Sequence, residues 1–454
     1  MSAATEVRPF ARPRLADHAL MRRHTIDGGE RVVIHHASTG ALVALDPRSA
    51  ELTLLADGTR DLDGIALAAS RAGLFARQSE LDELFAALAN ADLLADGIAP
   101  PAAILPTTPL APSFAALPVE VLPDYRFTCT GAGACCMQYA SIVFGEEDRE
   151  RARGFFAELP GEARADRVHL PLQSDDATRT AMTLVDGACL QLDAERRCGL
   201  HRRGGFEAKP AACRAYPATF VIAGDRVSVS TSVECDCVLT SLSGDSGEPL
   251  VTATTGAELP AGLRVRELPA EISWVGDERV PRDRYLDFRR EALALVPSAN
   301  AVCVALSLAK SLRDGAPYAL VSSTELDPLV HEPLAAFARA MTAAAEAADS
   351  WRSARDRTRL MRREVASAAS TLARRGLGVL DSSPFAEAES FTLRAALFGH
   401  ALADEAPVAA LLVDLAVRLL VARELELSGR RALGHPIAVV MAAARGALRN
   451  EPSA

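Results

Sequence analysis

The chain has 454 residues, 49% of them apolar, and a formal net charge of −10 at pH 7. Its length predicts about two to four domains, and its acidity argues against a nucleic-acid protein, because phosphate binding requires a basic surface. The N-terminus lacks a signal-peptide pattern, and no apolar run is long enough to span a membrane, so we expect a cytoplasmic protein with no membrane partner.

Residues 10–96 predict a small α+β domain of winged-helix-like layout. The segments "RVVIHH" and "ALVALD" are strand-like runs joined by the turn "ASTG". A helix is then expected from Asp46 as N-cap and Pro47 as first helical residue, with Gly58 at its end. Two more short helices follow, and the last opens with Ser79 and Asp82 in the spacing of a capping box.

This segment resembles the PqqD-like family, also called RiPP recognition elements. The matching residues are "STGALVALDPRSAELTLLADGTRDLDGIA" and the closing "LFAALANADLLADG". The resemblance implies that a peptide or protein substrate binds along a strand edge and is delivered to a modifying enzyme. The alternative is a degenerate winged helix that serves only for packing.

Residues 97–123 are rich in proline, which predicts a semi-rigid extended linker. The linker separates the N-terminal domain from a cysteine-rich segment, for which we predict residues 124–240 as the boundaries. An irregular metal-binding domain is expected there.

Nine cysteines occur in the chain, and eight of them lie in the cysteine-rich segment. In a reducing compartment such a cluster favours metal binding or redox chemistry over disulfides. The ninth, Cys303, lies in an apolar helical pattern typical of a core residue. The candidate metal ligands are Cys129, Cys135, Cys136, Cys189, Cys198, Cys213, Cys235 and Cys237.

Thiolates are the preferred ligands of zinc and of iron–sulfur clusters. In "CTGAGACC", Gly131 and Gly133 would let the backbone turn tightly around a metal. No C-x-x-C pair occurs, so neither a thioredoxin site nor a zinc knuckle is indicated. More than four thiolates favour an iron–sulfur cluster, of the 4Fe–4S type, over zinc. His201 is either a further ligand or a surface residue, and Arg214 either offsets thiolate charge or pairs with a carboxylate.

The cysteine pattern resembles the YkgJ-type family, described as a zinc- or iron-chelating domain, which includes the flagellin lysine N-methylases. The matching elements are Phe127, Cys129, the Cys135–Cys136 pair, Cys189 in "GACLQL", Cys198, and "PAACRAYP" with Pro210, Cys213, Arg214, Tyr216 and Pro217. Either Cys235 or Cys237 matches a cysteine of the methylase branch. Ala132 is a departure, because many members have a cysteine there.

Residues 281–450 show apolar positions at three- and four-residue steps, which predicts a mainly α-helical domain. Its most apolar segment, "VAALLVDLAVRLLVARELEL", carries Asp414, Arg418 and Arg423 and therefore predicts a buried helix rather than a membrane span. The expected fold class is thus α+β and multidomain.

The sequence leaves three functions open. The resemblance implies an enzyme that modifies a peptide or protein, with lysine N-methylation from S-adenosylmethionine as the implied reaction. The alternatives are a non-enzymatic iron–sulfur protein, as carrier, sensor or assembly factor, and a structural zinc protein. No residue pattern identifies a catalytic residue or an S-adenosylmethionine site.

Overall fold

A computed structural model describes most of the chain, with gaps at both ends, in several turns, in the proline-rich segment and within the cysteine-rich segment. The described residues are 10–16, 19–26, 29–36, 42–97, 112–131, 133–138, 142–155, 169–171, 180–244, 247–259, 263, 265–298, 300–351, 356–375, 383–404, 406–429 and 433–445.

The N-terminal part has a strand hairpin followed by three helices, in the order that the sequence predicts. Its elements are β1 (Pro13–Leu15), β2 (Ala19–Ile26), β3 (Gly29–His36), β4 (Leu42–Leu45), α1 (Pro47–Leu54), α2 (Leu62–Arg71), α3 (Gln78–Asn90) and β5 (Leu94–Asp96). The helices pack on the sheet through a core that includes Met21, Ile34 and Leu88. The predicted "ASTG" turn lies outside the described residues.

Of two predicted helix N-termini, one is confirmed and one is wrong. Asp46 caps α1, because its Oδ1 accepts hydrogen bonds from the backbone N–H groups of Arg48 at 2.9 Å and Ser49 at 3.1 Å. The capping box predicted at Ser79 is wrong. The helix already begins at Gln78, and Glu80 accepts the backbone N–H of Arg77 at 3.1 Å. Glu80, two positions before the predicted Asp82, therefore satisfies the free amide.

The central part contains short elements joined by long turns. They are α4 (Pro112–Ala115), β6 (Val119–Val121), α5 (Ala134–Gln138), β7 (Val143–Phe144), α6 (Glu146–Ala152), β8 (His169–Pro171), β9 (Thr180–Met182), β10 (Leu184–Val185), β11 (Ala188–Cys189), α7 (Gly199–Gly204), α8 (Ala211–Ala215), β12 (Ala218–Ala223), β13 (Arg226–Thr231) and α9 (Asp236–Thr240). This part is less irregular than the sequence predicts.

The central part joins the N-terminal sheet directly. Strand β10 pairs in parallel with β2, opposite His24 and Thr25, and the backbone N–H of Asp186 donates to the carbonyl of Thr25 at 2.7 Å. The resulting sheet has the order β11-β10-β2-β3-β4. One edge of the N-terminal sheet is therefore covered by a hairpin that carries a cysteine, whereas β4 forms the other edge.

Part of the predicted linker has regular structure. Strand β6, at residues 119–121, pairs in parallel with β13, and its sheet also includes β14 (Arg266–Glu267), in the order β14-β12-β13-β6. Proline-rich composition predicts extended chain, and an extended segment with alternating valines also suits a sheet edge. The central sheet thus uses strands from both sides of the predicted boundaries.

The C-terminal part is mainly helical after a short hairpin. Its elements are β15 (Glu271–Ser273), β16 (Arg279–Pro281), α10 (Arg282–Leu295), α11 (Ala301–Asp314), α12 (Ser323–Leu326), α13 (His331–Trp351), α14 (Arg357–Arg375), α15 (Ala386–Phe398), α16 (Val408–Leu427) and α17 (Pro436–Ala444). The mixed α and β composition predicted from the sequence is confirmed.

Helix α16 is the predicted buried helix, and it packs against α11, α14 and α17. Its charged residues are paired: Asp414 binds Arg418 at 2.6 Å, one helical turn away. Arg423 binds Glu389 of α15 inside the core. In the part of the chain that the structure describes, no helix combines the length and apolarity that a membrane crossing needs.

Candidate metal centre

The glycine loop begins at an anchored residue and ends in a short helix. Phe127 and Glu248 exchange two backbone hydrogen bonds, of 2.8 and 3.1 Å, which fix the start of the loop. Gly131 and Gly133 both have positive φ angles, +72° and +65°. Helix α5 then carries Cys135 and Cys136. The glycines therefore provide the turn that the sequence predicts, while residue 132 lies outside the described residues.

Two turns place the next three cysteines. Cys189 ends the β10–β11 hairpin. The chain then turns back, and the backbone N–H of Gly199 donates to the carbonyl of Gln191 at 2.7 Å, which positions Cys198 at the start of α7. Cys213 lies in α8, whose first residue follows Pro210.

Cys235 and Cys237 follow the central sheet. Strand β13 ends at Thr231, and the backbone N–H of Cys235 donates to the carbonyl of Ser232 at 3.2 Å in the turn that follows. Cys237 lies in the first turn of α9. Both side chains are buried, with exposed fractions of 4% and 7%.

The eight thiols lie in two neighbouring groups. The first thiol group contains Cys129, Cys235 and Cys237, which are joined by hydrogen bonds between their side chains. The second thiol group contains Cys136, Cys189, Cys198 and Cys213, which pack around one small apolar core.

Cys135 connects the two thiol groups. Its Sγ atom lies 3.9 Å from that of Cys136. Its charge also affects the pKa of Cys235 in the first group and of Cys213 in the second. The structure therefore brings all eight predicted cysteines into one region, whereas Cys303 lies apart on α11.

The hydrogen bonds of the first thiol group favour a thiolate at Cys237. Cys129, Cys235 and Thr130 donate to its sulfur, which holds the pKa of Cys237 far below the usual range. Thr130 Oγ1 lies 3.2 Å from this sulfur. The pKa values of the donors Cys129 and Cys235 are raised, first by these hydrogen bonds and then by burial.

In the second thiol group, the protonated form is favoured at Cys136, Cys189 and Cys213. Burial raises the pKa of Cys189 to about 12 and also raises that of Cys213. Cys135 differs, because a hydrogen bond from Cys136 and the positive charge of Lys209 lower its pKa to about 7. Since metals bind thiolates, metal binding here would release protons from the buried thiols.

Residues of the helical part contact the segments that carry the cysteines. The Oδ1 atom of Asp236, between Cys235 and Cys237, accepts the backbone N–H of His435 at 2.5 Å, at the start of α17. Glu234 forms an ion pair with Arg445. On the other side, a Cβ atom at Gly187 would lie 2.2 Å from Asp356, so the Cys189 hairpin abuts the start of α14.

The donor chemistry fits a thiophilic metal, but the thiols are not arranged as a closed ligand shell. Within the described ranges, no three or more His, Cys, Asp or Glu side chains are positioned to hold a metal ion directly. The sulfurs of Cys135 and Cys136 are 3.9 Å apart. Two sulfur ligands of one tetrahedral ion lie about 3.8 Å apart when the metal–sulfur bonds are about 2.3 Å long. The other thiols would have to rotate to join such a site.

Two candidates from the sequence have other roles. His201 is exposed on α7. Arg214 pairs with Glu207, with 2.6 Å between Nη1 and Oε2, which is the carboxylate pairing that the sequence left open.

Sequence reasoning missed three residues that act on the thiols. Lys209 lowers the pKa of Cys135 and partly opposes the rise in the pKa of Cys213 that burial causes, and Thr130 donates to Cys237. Ser241 accepts the backbone N–H of Thr128 and donates to the carbonyl of Cys237 at 2.6 Å. Of these three residues, only Lys209 stands out in the sequence, because it is one of two lysines in the chain.

Residues 128–236 match the family model described as "putative zinc- or iron-chelating domain". The match covers about a quarter of the 454 residues and includes seven of the eight clustered cysteines, all but Cys237. No curated protein and no solved structure matches the chain. The segment is therefore similar to a cysteine-rich domain associated with zinc or iron chelation.

Proposed function

We propose that the protein binds an iron–sulfur cluster, of the 4Fe–4S type, through thiolates of the two thiol groups. The observation that carries the proposal is the convergence of eight cysteines, from the glycine loop, two central turns, α8 and α9, in one region. Such a number exceeds the four ligands of a structural zinc site. When bound, the cluster would supply one-electron chemistry or a rigid folding centre.

The surrounding residues would prepare the ligands. Thr130 stabilises the thiolate of Cys237 by a hydrogen bond, and the Lys209 ammonium favours thiolates at Cys135 and Cys213. Gly133 lets the loop lie against the turn that carries Cys198, with the Arg196 carbonyl in close contact. These groups offset negative charge and fix the ligand positions.

A structural zinc site is the second candidate. It is favoured by one distance, the 3.9 Å between the sulfurs of Cys135 and Cys136, which suits two ligands of one tetrahedral ion. In this case the remaining cysteines would be core residues or free thiols.

The proposal extends to modification of a peptide or protein that the N-terminal part would bind and that the cysteine-rich and helical parts would modify. Strand β4 pairs on one side with β3 and is the edge of its sheet in the described chain. An edge of this kind suits strand addition by a peptide, as the PqqD-like resemblance implies. Lysine N-methylation from S-adenosylmethionine is the reaction that the methylase resemblance implies, and it would require a neutral lysine amine in a site that excludes water.

Cysteine variants test the metal proposal. Anaerobically purified protein should be brown, and Cys213→Ser should lose the colour together with iron and acid-labile sulfide. Cys303→Ser is the matched control, because Cys303 lies on α11, outside the cysteine-rich segment and in neither thiol group. A colourless protein with one zinc per chain would favour the second candidate, and equal loss in both variants would contradict the assignment.

The modification step has a separate test. Protein incubated with methyl-labelled S-adenosylmethionine and an extract of the source organism should label lysines of a discrete product. Ala44→Pro, at the exposed middle of β4, should reduce labelling, since proline removes a backbone donor from the edge. Absence of any label would remove the modification proposal and leave the metal proposal standing.

A further inference from the structure

A cleft of about 790 Å³ lies between the central part and the helical part. One wall comes from residues 124–126 together with residues 241, 242, 244 and 249, and the other comes from α15 and the two residues that follow α10. Organic ligands typically occupy clefts of about 300–1,000 Å³ at such boundaries between structural units. The cleft is thus of suitable size for a small organic ligand.

The base of the cleft is apolar and ordered. Tyr125 and Phe391 are buried, with ring centroids 4.7 Å apart, and the Tyr125 hydroxyl donates to the carbonyl of Val238 at 3.1 Å. Val296 is also buried and lines the same space. A base held in this way is preformed, which lowers the entropic cost of binding.

Four charged residues line the cleft without ion-pair partners among the described residues. They are two carboxylates and two guanidinium groups: Asp124, Arg126, Glu387 and Arg394. Arg126 donates to the carbonyl of Gly247, at 3.0 Å. The lining therefore offers both signs of charge, and neither sign is held in an ion pair within the described part of the chain.

Arg394 is the most constrained of these groups. Its side chain is half-buried, and its guanidinium carbon lies 5.6 Å from the ring centroid of Phe391. Its buried Nε–H group has no hydrogen-bond acceptor among the described residues. Arg284 provides a contrast, because it lies 5.5 Å from the Trp274 ring yet is paired with Glu278 at 3.5 Å. A partly desolvated arginine without a carboxylate is a binding group for an anion.

We infer that this cleft binds a zwitterionic organic ligand of the amino-acid class. Arg394, with Arg126, would bind the carboxylate, and Asp124 or Glu387 would bind the ammonium group. A ligand with only one charge would leave half of these groups unpaired. This site is additional to the metal proposed above and does not depend on which metal is bound.

The cleft also borders the first thiol group. Ser241 lines it, and the same hydroxyl donates to the carbonyl of Cys237 and accepts the backbone N–H of Thr128. A ligand in the cleft would therefore lie beside the residues that hold Cys129 and Cys237. Binding there would place an organic substrate or cofactor next to the proposed metal centre.

Calorimetric titration of the full-length protein with L-lysine, L-methionine and S-adenosylmethionine tests the inference. At least one of these zwitterions should bind with one site per chain, and its decarboxylated counterpart should bind at least about tenfold more weakly. Arg394→Gln should weaken binding about tenfold to a hundredfold, the range for a lost charge-assisted hydrogen bond. The control Arg284→Gln should bind like the wild type.

The inference fails if none of the three compounds binds, or if both arginine variants bind equally well. If circular dichroism shows that Arg394→Gln is unfolded, the ligand affinity of Glu387→Gln is used to test the inference. Glu387 is exposed in the first turn of α15, so this variant is expected to fold. Unchanged affinity in it, together with unchanged affinity in Asp124→Asn, would overturn the assignment. Metal analysis of the same samples keeps this result separate from that of the metal proposal.

Discussion

A Cβ atom on Gly133 would lie only 2.4 Å from the carbonyl oxygen of Arg196. This close approach joins the glycine loop to the turn that carries Cys198. Gly131 also has a positive φ angle, but an added Cβ there would meet no atom of the described residues within 4 Å. Backbone conformation alone therefore favours glycine at position 131, whereas close packing favours it as well at position 133.

This difference predicts unequal effects of two alanine substitutions. Gly131→Ala should cost about 1–2 kcal/mol, because alanine disfavours a left-handed conformation. Gly133→Ala should cost more and should lower the metal content of the purified protein, because the Arg196 backbone must also move. Metal analysis and urea unfolding of the two variants check this. Equal metal retention would show that the contact is unimportant for the site.

Ser241 predicts a local effect on the cysteine loop. Ser241→Ala removes the acceptor for the Thr128 amide, so hydrogen exchange at Thr128 should become faster and stability should fall by about 1–3 kcal/mol. Ser243→Ala is the control, because this exposed serine donates only to the Thr240 carbonyl, at 3.1 Å. Similar exchange rates in both variants would argue against a role for Ser241 in holding the loop.

The buried ion pair predicts a large effect on stability. Arg423 binds both carboxylate oxygens of Glu389 at 2.7 Å and Asn300 at 2.8 Å, and neither charged side chain is exposed. Glu389→Gln leaves a buried charge uncompensated and should cost about 3–5 kcal/mol in urea unfolding.

The exposed pair of Arg290 and Asp287 serves as the comparison for this prediction. Asp287→Asn should cost no more than about 1 kcal/mol. A loss of similar size in both variants would mean that burial does not govern the strength of these pairs.

His400 predicts a pH dependence of stability. The side chain is fully buried, and burial, with the charges of Arg289 and Arg266, lowers its pKa from 6.5 to about 3. Between these two pH values the unfolded chain binds a proton that the folded chain does not. This group therefore costs no stability above pH 6.5 and destabilises the protein by about 1.4 kcal/mol per pH unit below it.

The test compares urea unfolding at pH 7 and pH 4.5. His400→Asn removes the titration and keeps a residue type that tolerates the positive φ of +53°. This variant should lose less stability on acidification than the wild type. The exposed His331→Asn should behave like the wild type, and an unchanged slope in His400→Asn would refute the prediction.

Much of the fold could be predicted from local sequence patterns, because helix caps and buried helices depend mainly on residues that are close in the chain. The cap at Asp46 and the buried helix at residues 408–427 are both present. The clustering of cysteines also predicted a metal-binding segment, but not whether its cysteines share one site.

Contacts between distant segments were not predictable from these patterns. Strand β10 has only two residues, so its pairing with β2 leaves no periodicity to detect. The role of Lys209 depends on its folded distance from Cys135, and that of Ser241 depends on a hydrogen bond from Thr128, which lies 113 residues earlier in the chain. The cleft is formed by α15 and the central part, and its unpaired charges become visible only when both are assembled.

The central claim is that the thiol groups hold an iron–sulfur cluster. The most direct measurement is the number of iron, acid-labile sulfide and zinc atoms per chain in anaerobically purified full-length protein. A bound 4Fe–4S cluster predicts iron and sulfide in nearly equal numbers, about four of each, and no stoichiometric zinc. One zinc per chain without sulfide, or no metal at all, would contradict it.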